Sequence, residues 1–252
     1  WAGGCVRELL LVLQPKDYDV ATSASPDQIS TLFGRRRTLP IGAAFGVITV
    51  RGPKIAGQIE VATFREDGGY SDGRRPDSVS FSTAEHDAQR RDFTINGLFY
   101  DPEKKKVIDF VRGQEDLKRK CIRAIGIPRD RFGEDKLRML RGIRFAATFQ
   151  FQLDHETLKA IQEMAHEVTV VSAERIGAEM RRMLTHATRA VALRLLRDST
   201  LLEVLLPEVA ALYQEQSDGV PWDETLRVLA ALYQPSLPLA LAALLHRAGG
   251  KP

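Results

Sequence analysis

The chain has 252 residues, 44% hydrophobic and 27% charged, with a formal net charge of +3. That composition excludes a disordered or low-complexity polymer and leaves room for one large domain or two to three small ones. Two cysteines without paired spacing, Cys5 and Cys121, argue against a disulfide scaffold or a zinc ribbon and make a reducing cytoplasm the expected setting. No apolar run is long enough to cross a bilayer, and no signal peptide opens the chain. The start, Trp1-Ala2-Gly3-Gly4, reads as the middle of an element, so residues upstream are expected to be missing.

In chain order, Val6–Leu13 is predicted as a helix opened by Gly3-Gly4. Asp17-Tyr18-Asp19 is expected on a strand, with both carboxylates on one face and Tyr18 turned to the core. Ala43–Val50, the turn at Arg51–Lys54 and Ala56–Phe64 read as a β-hairpin. Residues 65–80 are polar and Gly-rich and are expected to form a mobile loop. Val107–Val111 reads as a further strand. The character changes near residue 115, and after about residue 130 the pattern is helical. Leu137, Leu140 and Ile143 recur at helical spacing, as do Ile176, Met180, Met183 and Leu184. Ala190–Leu206 and Thr225–Leu245 are rich in Ala and Leu and read as packed helices. The fold class is therefore α+β: a mixed head followed by an all-α remainder.

Charge is unevenly spread. From Lys118 to Arg144 ten Lys or Arg stand against three Asp or Glu. A basic middle suits a polyanionic partner, although solvated helix faces give the same distribution.

Three features carry chemistry. Gly3 and Gly4, with Arg7 three residues on, suit phosphate binding, because glycines let the backbone approach and a first helical turn offers free N–H groups. A plain tight turn reads the same way. Asp17 and Asp19 offer two hard oxygen ligands for Mg²⁺, and an acidic turn is the alternative. Glu60 interrupts an apolar strand, where a carboxylate is costly unless paired or metal-bound. On a neighbouring strand it would complete a three-carboxylate set able to hold two metals.

GGCVRELLLVLQPKDYDVAT at residues 3–22 resembles the signature of the class II tRNA nucleotidyltransferase and bacterial poly(A) polymerase family. Further matches follow in order: IEVATFR at 59–65, DGRRPD at 72–77, RRDFTIN at 90–96, DFVRGQEDL at 109–117, EDKLRMLRGIRFAA at 134–147 and ERIGAEM at 174–180. The resemblance implies a DNA polymerase beta-like nucleotidyltransferase head over 1–115, a helical neck over 116–185 and a partial helical body over 186–252. It implies Asp17 and Asp19 as metal ligands with Glu60 as the third catalytic carboxylate. Arg91 and Asp92 fall in the segment that contacts the ribose, and Asp109, Gly113 and Asp116 match the hinge. Glu134, Asp135 and Arg138 match the neck motif that reads the base.

The base readout has a physical rationale. On one helical face, Asp135 would accept from the exocyclic amine of cytosine or adenine, and Arg138 would donate to a ring nitrogen or carbonyl. An intrahelical salt bridge would use the same residues.

The family pattern has an Asp at Glu8, a Gly-Arg pair near Val12-Leu13-Gln14 and a Gly at Arg112. The strand Ile41–Val47 is similar to that of CCA-adding members, whereas Arg35-Arg36-Arg37 is a poly(A)-like trait. The expected activity is addition of C and A from CTP and ATP to the 3′ end of tRNA, with Mg²⁺ as cofactor. Poly(A), A-only or CC-only addition are alternatives. An HD-type phosphohydrolase has only His246 in its support, followed by Arg247 in place of the metal-binding Asp. A non-catalytic RNA-binding module would not need clustered carboxylates.

Overall fold

The computed structural model describes residues 1–15, 17–53, 57–70, 73, 76–214 and 220–248. Part of the DGRRPD match, the end of the turn after Arg51 and the last residues of the HD-like stretch lie outside them. The chain forms two compact units: Trp1–Arg119 with Arg123–Gly126, and Lys120–Ile122 with Ile127–Pro252. The expected neck and body thus fall in one unit.

In the first unit, helix α1 (Gly4–Leu10) precedes strand β1 (Val20–Thr22), helix α2 (Pro26–Phe33), β2 (Thr38–Leu39), β3 (Val47–Arg51) and β4 (Gln58–Thr63). The four strands form one sheet in the order β1-β4-β3-β2. β1 runs parallel to β4, with Val20 beside Val61, and the β3–β4 pair is the antiparallel hairpin expected from sequence. α2 starts where Ser25 and Gln28 form a reciprocal capping box and Pro26 sets the first turn. It lays Ile29 on the face formed by Ile48, Val50 and Val61. Alternation along β4 puts Glu60 and Ala62 on the opposite face.

Ile41–Val47 differs from expectation. Gly42 and Gly46 both take positive φ, and Ala43–Phe45 is a 3-10 turn, so the strand begins only at Val47. A Cβ at Gly46 would also meet the Phe81 ring at 3.2 Å. The expected loop at 65–80 contains a short ladder, β5 (Arg65–Asp67) antiparallel to β6 (Val79–Phe81). Its charged residues conceal it: Asp67 binds Arg65 at 2.9 Å and Arg90 at 3.3 Å, so these polar side chains are partners rather than solvent-facing filler.

α3 (Ala84–Gln89) follows, then β7 (Leu98–Asp101) antiparallel to β8 (Lys106–Asp109), and α4 (Gly113–Arg119). Ala2, Ala88 and Phe99 form a second core cluster with Phe64, Ile108 and Val111 against it.

In the second unit, β9 (Cys121–Ile122) pairs with β10 (Gln152–Leu153), a small exception to the helical pattern. The helices are α5 (Pro128–Glu134), α6 (Leu137–Phe149), α7 (His155–Met164), α8 (Ala173–Leu184), α9 (Arg189–Asp198), α10 (Leu201–Leu205), α11 (Pro207–Gln214), α12 (Val220–Ala231) and α13 (Leu237–Leu245). Leu137, Leu140 and Ile143 are buried as their spacing predicts. Each of the two long Ala/Leu-rich helices is broken in two: Thr200 at φ 61 ends one run and Gln234 at φ 39, ahead of Pro235, ends the other.

Candidate active site

Asp17, Tyr18 and Asp19 lie in an irregular segment immediately before β1, which starts only at Val20. Tyr18 is therefore 41% exposed rather than core-facing, and its ring meets Trp1 edge-on at 5.3 Å. The segment is pinned by the backbone, Ala2 N donating to the Asp19 carbonyl at 3.0 Å. Asp17 and Asp19 are both exposed, and among the described residues neither carboxylate makes an ion pair. Desolvation of the Asp19 carboxyl holds its pKa above the usual aspartate value; Arg91 opposes the shift and the Asp17 charge adds to it. That mutual influence places the two acids and Arg91 in one electrostatic neighbourhood.

The β1–β4 register begins at Val20 and Val61, the residues that follow Asp19 and Glu60. Glu60 sits mid-strand opposite Thr49 and is exposed. The burial cost expected for it does not arise, and it forms no ion pair among the described residues. Among the described residues no group of three or more His, Cys, Asp or Glu is drawn together tightly enough to hold a metal. The donor set still fits a divalent cation. Asp17 and Asp19 are hard oxygen donors, open to solvent, with one carboxyl already disfavoured as an anion. A cation there would offset first the desolvation of the Asp19 carboxylate and then the nearby Asp17 charge, without displacing an ion pair among the described residues.

Gly3 is the N-cap of α1 at φ 69, and its N–H is taken by the Leu98 carbonyl at 2.8 Å. A Cβ at Gly3 would meet the Arg91 guanidinium at 2.6 Å, so glycine is needed here for both conformation and approach. Arg91 is held by Asp87 at 3.0 Å, by the Asn96 carbonyl at 3.2 Å and over the Phe99 ring at 5.0 Å. The cation standing beside Gly3 and Asp19 is thus Arg91. Arg7, assigned to phosphate from its spacing, is 6% exposed and engaged with Asn96 Oδ1 and with Glu8 at 2.8 Å. A helix only seven residues long turns that side chain inward.

Asp92 is buried, and its Oδ1 accepts from the Phe93 N–H at 2.8 Å and Asn96 Nδ2 at 2.9 Å. It therefore braces the 3-10 turn Thr94–Asn96. The Asp109 carboxylate accepts from the N–H groups of Val111, Gly113 and Gln114 at 2.9–3.0 Å, capping the start of α4. A Cβ at Gly113 would fall 2.2 Å from the Thr94 carbonyl. Buried Asp116 accepts from Thr94 Oγ1 at 2.7 Å and pairs with Arg123 at 3.2 Å. These three matched positions fasten α4 to the 94–96 turn just ahead of the boundary between the compact units.

The base-reading group differs most from expectation. Glu134 ends α5, Asp135 takes extended φ −151 and ψ 106, and α6 begins at Leu137. The three residues therefore do not share one helix face. The Asp135 carboxylate accepts from Leu137 N, at the start of α6, at 3.0 Å and pairs with Arg175 at 2.7 Å. Arg138 binds Glu134 and the Arg131 carbonyl, and Arg131 also binds Glu134 at 2.9 Å. Arg175 lies in the ERIGAEM match but carried no expected role. In the same match, buried Glu179 binds Arg144 and Arg182, and burial lowers the Arg144 pKa while Glu179 opposes the shift.

Of the remaining expectations, His246 binds the Ala243 carbonyl at 2.8 Å at the end of α13. Among the described residues no helix is long and apolar enough to cross a membrane.

Fold and site together define a nucleotidyltransferase-type head joined to a helical unit. Residues 1–123 match the family described as the poly A polymerase head domain, and residues 150–213 match a probable RNA- and SrmB-binding site of polymerase A. The chain belongs to the family of CCA-adding enzymes and bacterial poly(A) polymerases. It is 40% identical to the CCA-adding enzyme of Geobacillus kaustophilus over 85% of its own length and 52% of that protein's. It is 38% identical to poly(A) polymerase I of Haemophilus influenzae over 86% and 50%. The crystal structure of the Bacillus stearothermophilus CCA-adding enzyme in complex with CTP superposes with a TM-score of 0.80 at 33% identity, covering all of this chain and 58% of that one. The chain spans about half the length of the curated relatives it matches.

Proposed function

We propose that the chain adds C and A, from CTP and ATP, to the 3′ end of tRNA. The observation that carries the reading is the Asp17–Asp19 pair, exposed and free of ion pairs among the described residues, beside Arg91 and Gly3 on a head whose relatives add CCA. In the reaction an RNA 3′-hydroxyl attacks the α-phosphate, the bond to the β-phosphate breaks, and pyrophosphate leaves.

Asp17 and Asp19 would hold a divalent cation, Mg²⁺ by donor type, which supplies charge neutralisation at the α-phosphate and the leaving group when bound. Glu60, on β4 next to β1, would add negative charge near them. Arg91, pre-oriented by Asp87 and Phe99, offers a guanidinium to the phosphates, and the missing Cβ of Gly3 leaves room for it. Asp92, in the segment that the family resemblance assigns to the ribose, would lie toward the sugar, held by its bonds to Phe93 and Asn96. Catalysis is then positioning and charge placement by groups that do not have to reorganise.

In the second unit, Asp135 and Arg138 would read the base. C and A share an exocyclic amine next to a ring acceptor, so one acceptor and one donor accept both. Arg175 positions Asp135, and Glu134 positions Arg138. The basic residues of this unit would bind the tRNA backbone, reading shape more than sequence.

A second reading, poly(A) addition, has the likeness to the Haemophilus enzyme and Arg35-Arg36-Arg37 in its favour. Product length and composition on a tRNA lacking its terminal CCA, with CTP and ATP supplied singly and together, separate the two. The proposal predicts a short tail containing both bases. Long homopolymeric A tails without C incorporation reject it in favour of poly(A) addition.

A further inference from the structure

On the α2 side of the four-stranded sheet, the face opposite Glu60, lies a cavity of about 400 Å³. Ile29 and Leu32 of α2 and Val20, Val50, Ile59 and Val61 of the sheet line it, and the exposed Arg37 and Arg51 complete the lining. Its volume falls among those of small-molecule sites, roughly 300–1,000 Å³. Leu32 and Phe33, also in the lining at the end of α2, are 78% and 41% exposed, so an occupant would cover apolar surface that now meets water.

Charge says what kind of head group belongs there. The Arg51 N–H donates to the Arg37 carbonyl at 2.7 Å, so the two arginines sit side by side on paired backbone, an arrangement in which like charges repel. Among the described residues neither guanidinium makes an ion pair or a hydrogen bond. The chain carries no Asp or Glu from Gln28 to Ile59, so no acid nearby in sequence offsets the pair.

The wall says what kind of body belongs there. Apart from the arginines, Thr22 alone among the described lining residues has a polar side chain. A nucleobase seated against this wall would leave its amines and carbonyls without partners, which is costly, whereas an alkyl chain has no polar groups to satisfy.

We propose that the cavity binds a small amphiphilic carboxylate. The alkyl chain lies against the aliphatic wall, and the carboxylate accepts from the guanidiniums of Arg37 and Arg51, whose N–H forks match its two oxygens.

The test measures binding of sodium decanoate and of 1-decanol by calorimetry, below the concentration at which decanoate forms micelles. Wild type is compared with R37Q/R51Q and with R35Q/R36Q. The second double variant removes the same charge from two exposed neighbours outside the lining. Leu32→Glu, at an exposed position, sets a carboxylate on the cavity wall.

Wild type should take one decanoate per chain and prefer it to decanol. Affinity should rise by about fourfold per methylene from hexanoate to decanoate. R37Q/R51Q should weaken decanoate binding by about tenfold or more and bind decanol as wild type does, which shows that the cavity itself is intact. R35Q/R36Q should bind decanoate as wild type does, and Leu32→Glu should bind it more weakly. Equal affinities for decanoate and decanol in wild type, or equal losses in the two double variants, overturn the proposal. A wild-type chain that binds no decanoate also overturns it; weaker tRNA binding in R37Q/R51Q would then give the two arginines to an RNA backbone.

Discussion

The two halves of the candidate machinery are prepared in opposite ways. In the head, Asp17, Asp19 and Glu60 stand exposed with no ion pair among the described residues, and Asp19 is held in a state that disfavours its own charge. In the helical unit, Glu134, Asp135 and Arg138 are tied into ion pairs with Arg131 and Arg175 and into a backbone hydrogen bond. On the proposed reading, the group that would receive a cation is left without an ion pair, and the group that would read the base is held in orientation by its neighbours. Function would then cost stability in the first region and coincide with it in the second.

Substitution of the acids gives the largest effect on activity. Asp17→Ala and Asp19→Asn should lower nucleotide incorporation by on the order of 10³-fold or more, as for loss of a charge-stabilising group in a transition state. Neither should unfold the metal-free protein. Asp19→Asn should raise its Tm at neutral pH. The sign follows from the raised Asp19 pKa: its favourable contribution is present below the ordinary aspartate pKa and is lost as pH rises through the folded value. The Tm difference should therefore vanish in acid and grow toward neutrality. A variant less stable than wild type at neutral pH would break the contrast.

The second region should respond with the opposite stability sign. Asp135→Ala removes the acceptor for Leu137 N and strands Arg175, so a loss of about 1–3 kcal/mol in chemical denaturation is expected, together with poorer rejection of G and U. Arg175→Ala should weaken base selection in the same direction, and the double variant should cost less than the sum. Additive losses would show that Arg175 does not position Asp135.

A smaller effect tests the backbone at the edge of the head site. Val12, 92% exposed at φ 58, occupies a conformation costly for a β-branched residue. Val12→Gly should be neutral to stabilising, by up to about 1 kcal/mol, and clear destabilisation in urea would contradict the strain. The smallest effect is a null one. His246→Ala should leave nucleotide transfer unchanged, and the chain should show no metal-dependent phosphatase activity; a phosphatase lost on this substitution would restore the phosphohydrolase reading.

Local features of this chain are legible in its sequence and distant ones are not. The β3–β4 hairpin follows from apolar alternation around Gly52-Pro53, and the α6 core stripe follows from its period. Sequence reasoning misses α2 although its Ser25/Gln28 capping box and Pro26 are present to be read. The family matches point to the three acids, and β4 returns beside β1 as the spacing of Glu60 from Asp17 suggests. Arg7 is misassigned by its spacing because its partner Asn96 is 89 residues away. The Asp135–Arg175 pair escapes notice because 40 residues separate its members. The shared helix face at 134–138 fails on one backbone angle at Asp135. Val12 and Arg112 mark the other limit: Arg112 stands where the family pattern has glycine and Val12 in a stretch where it has a Gly-Arg pair, and both take a positive φ.

The central claim is that Asp17 and Asp19 form an open cation site, and a Mg²⁺ titration of thermal stability without RNA or nucleotide tests it directly. Ligand that binds only the folded state stabilises it by RT ln(1 + [L]/Kd), so Tm goes on rising with the logarithm of ligand concentration above Kd. Wild-type protein should show a rise in Tm with Mg²⁺, logarithmic in concentration once above Kd, that is absent in Asp17→Asn and Asp19→Asn and retained in Asp135→Ala. An equal rise in wild type and both aspartate variants would contradict the assignment.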